Sequence, residues 1–244
     1  MKKIIVLILL VLLGVGFFLY KNNLLPSFGK APIRFVYFDV GEVLITNTNQ
    51  KKREALVERF GLNPDSVEQA YHTIGRTGVD LGEGDDCSFW LSVARTAGLS
   101  QEQLQQNGPF ICQLSPYIHL IEGSVAAFNA IFQQGLPVGI LSNDSYAMGL
   151  AKADKIGYMD KAAAVVISAF YGVKKPGPEI YEIALQRARE KVGLDLTTGE
   201  ILFVDDKADN ITAAEQAGFR TILFQSSEQL QQELKDKFKI SVLP

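Results

Sequence analysis

Short apolar runs alternate with helical patterns over most of the chain, and several of these runs lead into polar side chains. The apolar runs span residues 35–38, 138–141, 164–167 and 201–204, and the polar residues at or shortly after their ends are Asp39, Ser142, Lys175 and the pair Asp205 and Asp206. Runs of this length between helical patterns are typical of buried strands in a parallel sheet. The pattern predicts an α/β fold, a Rossmann-like parallel sheet with helices on both faces.

One segment interrupts the alternation. Residues 47–116 show helical spacing and few strand-like runs, so we expect a helical cap inserted after the first strand. Residues 34–46 and 117–244 are then expected to form the core that contains the sheet. Within the cap, Ser100 and Gln103 have the form of a capping box, which predicts that a helix begins there.

The amino terminus has a different character. Residues 4–20 are uncharged and mostly apolar, and as a helix they would span roughly 26 Å, slightly less than a hydrocarbon core of about 30 Å. We predict a transmembrane anchor over residues 1–21 and a linker over residues 22–33, which makes the protein a single-pass membrane protein. A cleaved signal peptide is the alternative. Basic residues flank both ends, so the side of the membrane that holds the rest of the chain stays open.

Composition narrows the possible partners. The net charge is −3 and charged residues make up 21% of the chain, so there is no basic excess of the kind that favours nucleic acid. Cys87 and Cys112 form no C-x-x-C pair and no metal-ligand spacing; we expect packed thiols, with a single disulfide as the alternative. His72 and His119 are isolated from the acidic residues and are not candidates for the site.

The polar residues at the strand ends suggest one chemistry. Ligands of such sheets bind beyond the carboxyl ends of the strands, where these side chains would converge. Asp39 could act as a nucleophile, and Asp205 and Asp206 would repel each other unless a cation offsets their charge. Mg²⁺ prefers carboxylate and carbonyl oxygens. Ser142 and Asn143 could donate to phosphate oxygens and Lys175 could neutralise developing charge, so the sequence predicts a magnesium and phosphate site.

These motifs resemble those of the haloacid dehalogenase superfamily over residues 34–225. The segments that carry the resemblance are 38–44 for the nucleophile motif, 140–143 for the phosphate motif, 175–181 for the lysine motif and 203–206 for the acidic motif. Gly177 replaces an Asp of the lysine motif. The helical insertion lies where the family's type 1 cap lies, and Gly82 with Phe89 and Trp90 is similar to the branch that contains α-glucose-1-phosphate phosphatase.

The resemblance implies a role for each residue that handles the phosphoryl group. Asp39 would be the nucleophile that forms an aspartyl-phosphate, Ser142 and Asn143 would hold the transferring group, and Lys175 would balance its charge. The partner implied is a small phosphorylated substrate. The sequence leaves open which of the cap residues face it; the candidates are Tyr71, Arg76, Trp90 and Tyr117.

The resemblance also implies a magnesium site. Its ligands would be the carboxylates of Asp39 and Asp206 and the carbonyl of Gly41. Asp205 would either ligate the metal or orient Lys175.

Position 41 departs from the family pattern. Most phosphatases of the family carry a second Asp there as general acid and base, whereas Gly41 offers only its carbonyl. Glu42, a water or a cap residue would then have to supply the proton, and such catalysis contributes roughly 10²–10⁴-fold. We predict a Mg²⁺-dependent phosphatase of small phosphate monoesters. The alternatives are a catalytically weak or silent membrane-tethered binding module and a 2-haloacid dehalogenase, although dehalogenases typically lose the adjacent acids that this chain keeps.

Overall fold

The computed structural model describes residues 31–242 of the chain. Residues 32–242 belong to one compact unit. The predicted anchor over residues 1–21 and most of the predicted linker over residues 22–33 lie outside the described residues. Within residues 31–242, no helix has the length and apolar character needed to cross a membrane.

A five-stranded parallel sheet forms the centre of the described chain. Its strands are β1 (Phe35–Phe38), β2 (Val138–Ser142), β3 (Ala164–Ile167), β4 (Ile201–Asp205) and β5 (Arg220–Leu223). The spatial order is β3-β2-β1-β4-β5, so β1 is central and pairs with β2 on one side and β4 on the other. The predicted parallel sheet is confirmed.

Five helices follow β1 before the chain returns to the sheet. They are α1 (Thr48–Phe60), α2 (Pro64–Ile74), α3 (Thr77–Asp80), α4 (Asp86–Thr96) and α5 (Gln101–Cys112), followed by a 3₁₀ turn at Ser115–Tyr117. We call α1 to α5 the helical insertion. The capping box predicted from Ser100 and Gln103 opens α5, with both of its hydrogen bonds formed. The short helix α3 has no apolar periodicity and was not predicted.

The remaining helices alternate with the strands. They are α6 (Glu122–Gln133), α7 (Tyr146–Ile156), α8 (Ser168–Tyr171), α9 (Pro178–Val192), α10 (Ala208–Gln216) and α11 (Ser227–Phe238). Side chains of β1 alternate between the two faces of the sheet, as the pleat of a strand requires. One face packs against α6, α7 and α11, and the other against α9 and α10. Helices therefore cover both faces, as predicted.

Gly139 in β2 allows the central strand to pack closely. A Cβ at this position would lie 2.6 Å from Cε1 of Tyr37 and 2.7 Å from Cε1 of Phe35, both on β1. These distances are shorter than van der Waals contact, so any side chain would displace the two rings. The Tyr37 hydroxyl in turn donates to the Ala184 carbonyl at 2.8 Å, which ties β1 to α9. The geometry of β1 thus depends on a missing side chain in its neighbour.

The helical insertion has an apolar core of its own. Leu56 of α1, Val67 of α2, Phe89 and Trp90 of α4 and Leu104 of α5 are all buried within one cluster. Trp90 has no exposed surface, so it packs within the insertion. The insertion is therefore held together by the packing of its helices against one another, independently of the sheet.

A disulfide crosslinks the insertion. Cys87 near the start of α4 is bonded to Cys112 at the end of α5, so the expectation of two packed thiols is wrong. The cysteines are 25 residues apart in sequence and meet only because α4 and α5 pack side by side, which their spacing does not reveal. Closing a loop of this length removes about 3–4 kcal/mol of conformational freedom from the unfolded chain.

Lys52 is a buried cation beside the disulfide-linked helices α4 and α5. Its residue is 1% exposed, and its ammonium donates to the Gln113 carbonyl. The same Nζ lies 5.1 Å from the ring centroid of Trp90 and 5.2 Å from that of Tyr117. Burial lowers the pKa of Lys52 to about 7, against the opposing effect of Asp86. Folding therefore places a group that is half protonated near neutral pH inside the insertion.

This burial predicts a pH-dependent stability. An unfolded lysine has a pKa near 10.4, so between pH 7 and pH 10 the unfolded chain binds more protons than the folded one. Stability should therefore rise with pH, by up to about 1.4 kcal/mol per unit. We expect Lys52→Met to be more stable than the wild type at pH 7, with a difference that shrinks toward pH 10.

Urea unfolding at pH 7, 8, 9 and 10 measures this difference. The exposed Lys155→Met provides a matched control, whose offset from the wild type should stay constant across the series. A constant offset for Lys52→Met as well would show that Lys52 is not desolvated as described.

Candidate active site at the carboxyl ends of the strands

The predicted site residues converge at one edge of the sheet. Asp39 directly follows β1, and its N–H donates to the Val204 carbonyl of β4 at 2.9 Å. Ser142 is the last residue of β2, and Asp205 is the last residue of β4. Because β1 lies between β2 and β4, the chain connections diverge at this point, and such a switch point is where parallel sheets bind ligands. A cavity of about 420 Å³ opens there.

Lys175 lies at the centre of the site. Its Nζ is 2.9 Å from Oδ1 of Asp39 and 2.6 Å from Oδ2 of Asp205, and it donates to the Leu141 carbonyl at 2.8 Å. The residue is 2% exposed. Burial alone would lower the pKa of Lys175, but the two carboxylates raise it above its usual value. The three acceptors match the three N–H groups of the ammonium, so its hydrogen bonding is complete.

Asn143 positions the backbone of Lys175. Its Oδ1 accepts from the Lys175 N–H at 2.8 Å, and its Nδ2 donates to the Lys175 carbonyl at 2.8 Å. The amide pairs with the backbone on both sides, which fixes the loop after α8 against the end of β2. Because the Asn143 side chain is occupied in this way, its backbone N–H is the group left to meet a phosphate oxygen.

Asp205 is fully buried and its carboxylate is saturated. Oδ1 accepts from the Lys207 N–H at 2.8 Å and from Nδ2 of Asn210 at 2.9 Å. Oδ2 accepts from Lys175 and, at 3.1 Å, again from Asn210. These contacts favour the second of the two roles considered for Asp205, the orientation of Lys175. The hydrogen bonds of Asn210 to Asp205 were not predicted from the sequence.

Three carboxylates share this small space. Oxygens of Asp39, Asp205 and Asp206 lie within 4.8 Å of one another. Burial raises the pKa of Asp39, but Lys175 and then Lys152 lower it more, so the net pKa lies below its usual range and the carboxylate is ionised at neutral pH. Burial and then Asp39 raise the pKa of Asp206 to about 6. The cluster thus contains three acids and, among the described residues, one lysine in direct contact with them, Lys175.

The arrangement fits a divalent cation. Oδ1 of Asp206 is buried and has no hydrogen-bond partner among residues 31–242. An orphaned carboxylate oxygen beside an ionised Asp39 is the kind of oxygen ligand that Mg²⁺ takes. Gly41 lines the same cavity two residues after Asp39. Asp39 and Asp206 are thus available as ligands, whereas the oxygens of Asp205 are engaged elsewhere.

A second charged pair borders the cavity. The Ser142 hydroxyl donates to Oδ2 of Asp144 at 2.8 Å, and Lys152 of α7 donates to Oδ1 of Asp144 at 2.6 Å. Asp144 and Lys152 are 5% and 6% exposed. Neither residue was predicted, although Asp144 directly follows the phosphate motif. Lys152 lies within a helical pattern that gave no reason to separate it from surface lysines.

The helical insertion supplies the opposite wall. Of the four cap residues that were candidates to face the substrate, Arg76 and Tyr71 line the cavity, whereas Trp90 and Tyr117 do not. The Arg76 side chain is 8% exposed and pairs with Asp80 at 3.2 Å and Asp86 at 2.9 Å. His72, which was not a candidate, also borders the cavity, paired with Glu68 at 2.8 Å.

Both acids that pair with Arg76 reach the sheet side of the crevice. The Ser145 hydroxyl, at the start of α7, donates to Asp86, and the Ser168 hydroxyl, at the start of α8, donates to the Asp80 carbonyl at 2.6 Å. Arg76 therefore lies between the cavity and the contacts that join the insertion to the sheet layer.

Comparison with known proteins identifies the family. Residues 33–218 match the family model described as haloacid dehalogenase-like hydrolase. This chain belongs to the haloacid dehalogenase-like hydrolases. The match covers both the helical insertion and the strand ends that carry the site, so the resemblance inferred from the motifs is confirmed at the level of the family.

Individual curated proteins are also similar to the chain. Pyrimidine 5'-nucleotidase YjjG of Escherichia coli strain K12 is 25% identical over 194 residues, covering 77% of this chain and 84% of that protein. A longer curated relative, 26% identical over 148 residues, is spanned by the chain over only 24% of its length. Identity at this level is low in both cases.

Two solved structures share the fold. A haloacid dehalogenase family enzyme of Bacteroides thetaiotaomicron, in complex with magnesium and inorganic phosphate, gives a TM-score of 0.59 at 18% identity, covering 80% of this chain and 95% of that one. L-2-haloacid dehalogenase of Xanthobacter autotrophicus gives a TM-score of 0.56 at 21% identity, covering 87% of this chain and 85% of that one. Both similarities are similarities of fold.

The ion cluster predicts a large stability cost for removing its cation. Lys175→Met leaves Asp39 and Asp205 buried without their shared partner, and breaking a buried ion pair in this way costs about 3–5 kcal/mol. The double variant Lys175→Met/Asp205→Asn also removes one of the uncompensated charges and should recover at least about 1 kcal/mol.

Chemical denaturation in the absence of divalent cations measures both values. The exposed Lys191→Met should stay within about 0.5 kcal/mol of the wild type. A Lys175→Met variant as stable as this control would contradict the central position of the lysine in the fold.

Proposed function

We propose that this hydrolase is a Mg²⁺-dependent phosphomonoesterase that acts on small phosphate monoesters through an aspartyl-phosphate on Asp39. One observation carries the proposal: a buried carboxylate, ionised beside Lys175, borders a cavity next to an acid with an unpartnered oxygen. A nucleophile, a fixed cation and ligands for a second cation are what phosphoryl transfer to a carboxylate requires.

The residues divide the reaction between them. An oxygen of Asp39 attacks phosphorus, the bond from phosphorus to the ester oxygen breaks, and the leaving group departs with the electron pair and takes a proton from water to become the alcohol. Lys175 holds Oδ1 of Asp39 at 2.9 Å and so fixes the orientation of the nucleophile. The Ser142 hydroxyl, turned from Asp144, and the Asn143 N–H donate to phosphoryl oxygens. Water then cleaves the aspartyl-phosphate, which releases inorganic phosphate and restores Asp39.

Asp39, Asp206 and the Gly41 carbonyl would hold the magnesium. When bound, Mg²⁺ supplies positive charge at the phosphoryl oxygens as negative charge develops on them. Asp205 stays with Lys175 and Asn210, which keeps the lysine oriented. A phosphatase among the curated relatives and the magnesium and phosphate complex of a structural relative support this assignment.

We propose that residues 47–116 act as a cap over a core of residues 34–46 and 117–244. Arg53, Tyr71 and Arg76 of the insertion line the cavity opposite Asp39, so a leaving group would meet polar side chains there. Phe89 and Trp90, which suggested the sugar-phosphate branch, are buried in the packing of the insertion. They therefore do not select a substrate within this proposal.

The proposal predicts magnesium-dependent turnover. The purified full chain, assayed on a panel of phosphate monoesters, should release inorganic phosphate with Mg²⁺ and stop when the metal is removed by a chelator. Asp39→Asn keeps the size of the side chain but removes the nucleophile, so we expect a loss of at least about 10³-fold. The exposed Asp160→Asn should retain full activity.

The same assays separate the alternatives. Binding of inorganic phosphate without turnover of any ester would contradict the enzyme and favour a tethered binding module. Metal-independent halide release from a 2-haloacid would favour a dehalogenase, an outcome that the retention of Asp205 and Asp206 argues against.

We also propose that the chain is a single-pass membrane protein, anchored by residues 1–21, with the hydrolase on the oxidising side of the membrane. The apolar run of residues 4–20 supports the anchor. The Cys87–Cys112 disulfide supports a position of the hydrolase on the oxidising side of the membrane, since disulfides persist in oxidising compartments and are rare in reducing ones.

Alkylation of the cysteines tests the compartment. In membranes prepared from producing cells quenched with acid, both cysteines should resist alkylation until a reductant is added, and mass spectrometry should then show two alkyl groups on the reduced chain. Alkylation of both thiols without reductant would place the hydrolase on the reducing side.

A further inference from the structure

Lys152 is a buried cation at the crevice to which the mechanism above gives no role. It lies on α7, is 6% exposed and lines the same cavity as Asp39 and Ser142. Its nearest described partner is Oδ1 of Asp144, at 2.6 Å. A lysine in such a position either neutralises Asp144 and nothing more, or also acts on the substrate.

Lys175 and Lys152 differ in their hydrogen bonds. Lys175 has three acceptors for its three N–H groups and none left for a substrate. Lys152 has one hydrogen-bonded acceptor among residues 31–242, the carboxylate of Asp144. Two of its N–H groups are therefore available to a bound molecule, in a site where burial strengthens every charge interaction.

The position of Gly41 shows where these N–H groups lie. A Cβ built on Gly41 would have Nζ of Lys152 as its nearest neighbour, at 4.0 Å, with no closer atom around it. Gly41 follows Asp39 by two residues and carries no side chain into the crevice. The ammonium of Lys152 thus faces the space beside the nucleophile that a side chain at position 41 would fill.

We propose that Lys152 is a further catalytic residue, whose ammonium donates a hydrogen bond to the ester oxygen of the leaving group. This proposal rests on the phosphatase function proposed above. As the bond between phosphorus and the ester oxygen breaks, its electron pair stays on that oxygen, and the fixed positive charge of Lys152 stabilises it. Lys152 remains an ammonium throughout, and water supplies the proton that converts the departing oxygen to the alcohol. Asp144 holds it in place and accepts from the Ser142 hydroxyl at 2.8 Å.

The dependence of the rate on the leaving group distinguishes this role from a structural one. Aryl phosphates with acidic phenols leave as stable anions and need little help, whereas alkyl phosphates need stabilisation of the departing oxygen. The measured quantity is kcat/KM, because it reports the steps up to formation of the aspartyl-phosphate. A series from p-nitrophenyl phosphate to simple alkyl phosphates, assayed with the full chain and Mg²⁺, covers the range.

We expect Lys152→Met to lower kcat/KM for alkyl phosphates by about 10²–10³-fold and for p-nitrophenyl phosphate by less than about 5-fold. Lys152→Arg should restore part of the alkyl activity. The exposed Lys155→Met on the same helix is the matched control and should behave as the wild type. If Lys152→Met leaves Asp144 uncompensated and fails to fold, Lys152→Met/Asp144→Asn removes both charges and should show the same selectivity for good leaving groups.

Two results would overturn the proposal in distinguishable ways. Equal losses on aryl and alkyl phosphates, or no loss on either, with an active wild type would assign Lys152 to structure alone and leave the phosphatase function standing. A wild type that turns over no phosphate ester would overturn the phosphatase function and the role of Lys152 together.

Discussion

The structure depends on one buried ammonium group. Lys175 joins the ends of three strands, since its Nζ contacts Asp39 after β1, the Leu141 carbonyl of β2 and Asp205 at the end of β4. A charge with so little exposure is stable only because each N–H has an acceptor and two of these acceptors are carboxylates. The arrangement that satisfies this constraint also holds Asp39, the proposed nucleophile, in one orientation. A lysine at position 175 therefore serves both the stability of the fold and the proposed chemistry.

The other charges of the crevice follow the same rule. Asp144 is paired with Lys152, and Arg76 with Asp80 and Asp86, in each case with little solvent exposure. The paired residues are four to ten positions apart in the chain, so each ion pair fixes one local segment of the cavity wall. A site built in this way is preorganised for charge, because its dipoles and ions need not rearrange when a phosphoryl group becomes more negative.

The sequence revealed the sheet and most of the site because both depend on local patterns. Apolar runs of four or five residues locate the strands. Asp39 directly follows β1, and Ser142 and Asp205 are the last residues of β2 and β4. Lys152, by contrast, has ordinary helical spacing, and its importance comes from the distant Gly41 and from Asp144. The Cys87–Cys112 bond likewise depends on how α4 packs against α5. Tertiary contacts of this kind leave no periodic signal in one sequence.

Arg76 limits how this hydrolase can change. The residue borders the cavity, so altering it would be an obvious way to accept a new leaving group. It also pairs with Asp80 and Asp86, which accept from Ser168 and Ser145 on the sheet side. Any replacement would disturb the attachment of the insertion together with substrate choice. Changes at Tyr71, whose ring contacts with Phe89 and Trp90 lie within the insertion, would disturb the packing of the insertion instead.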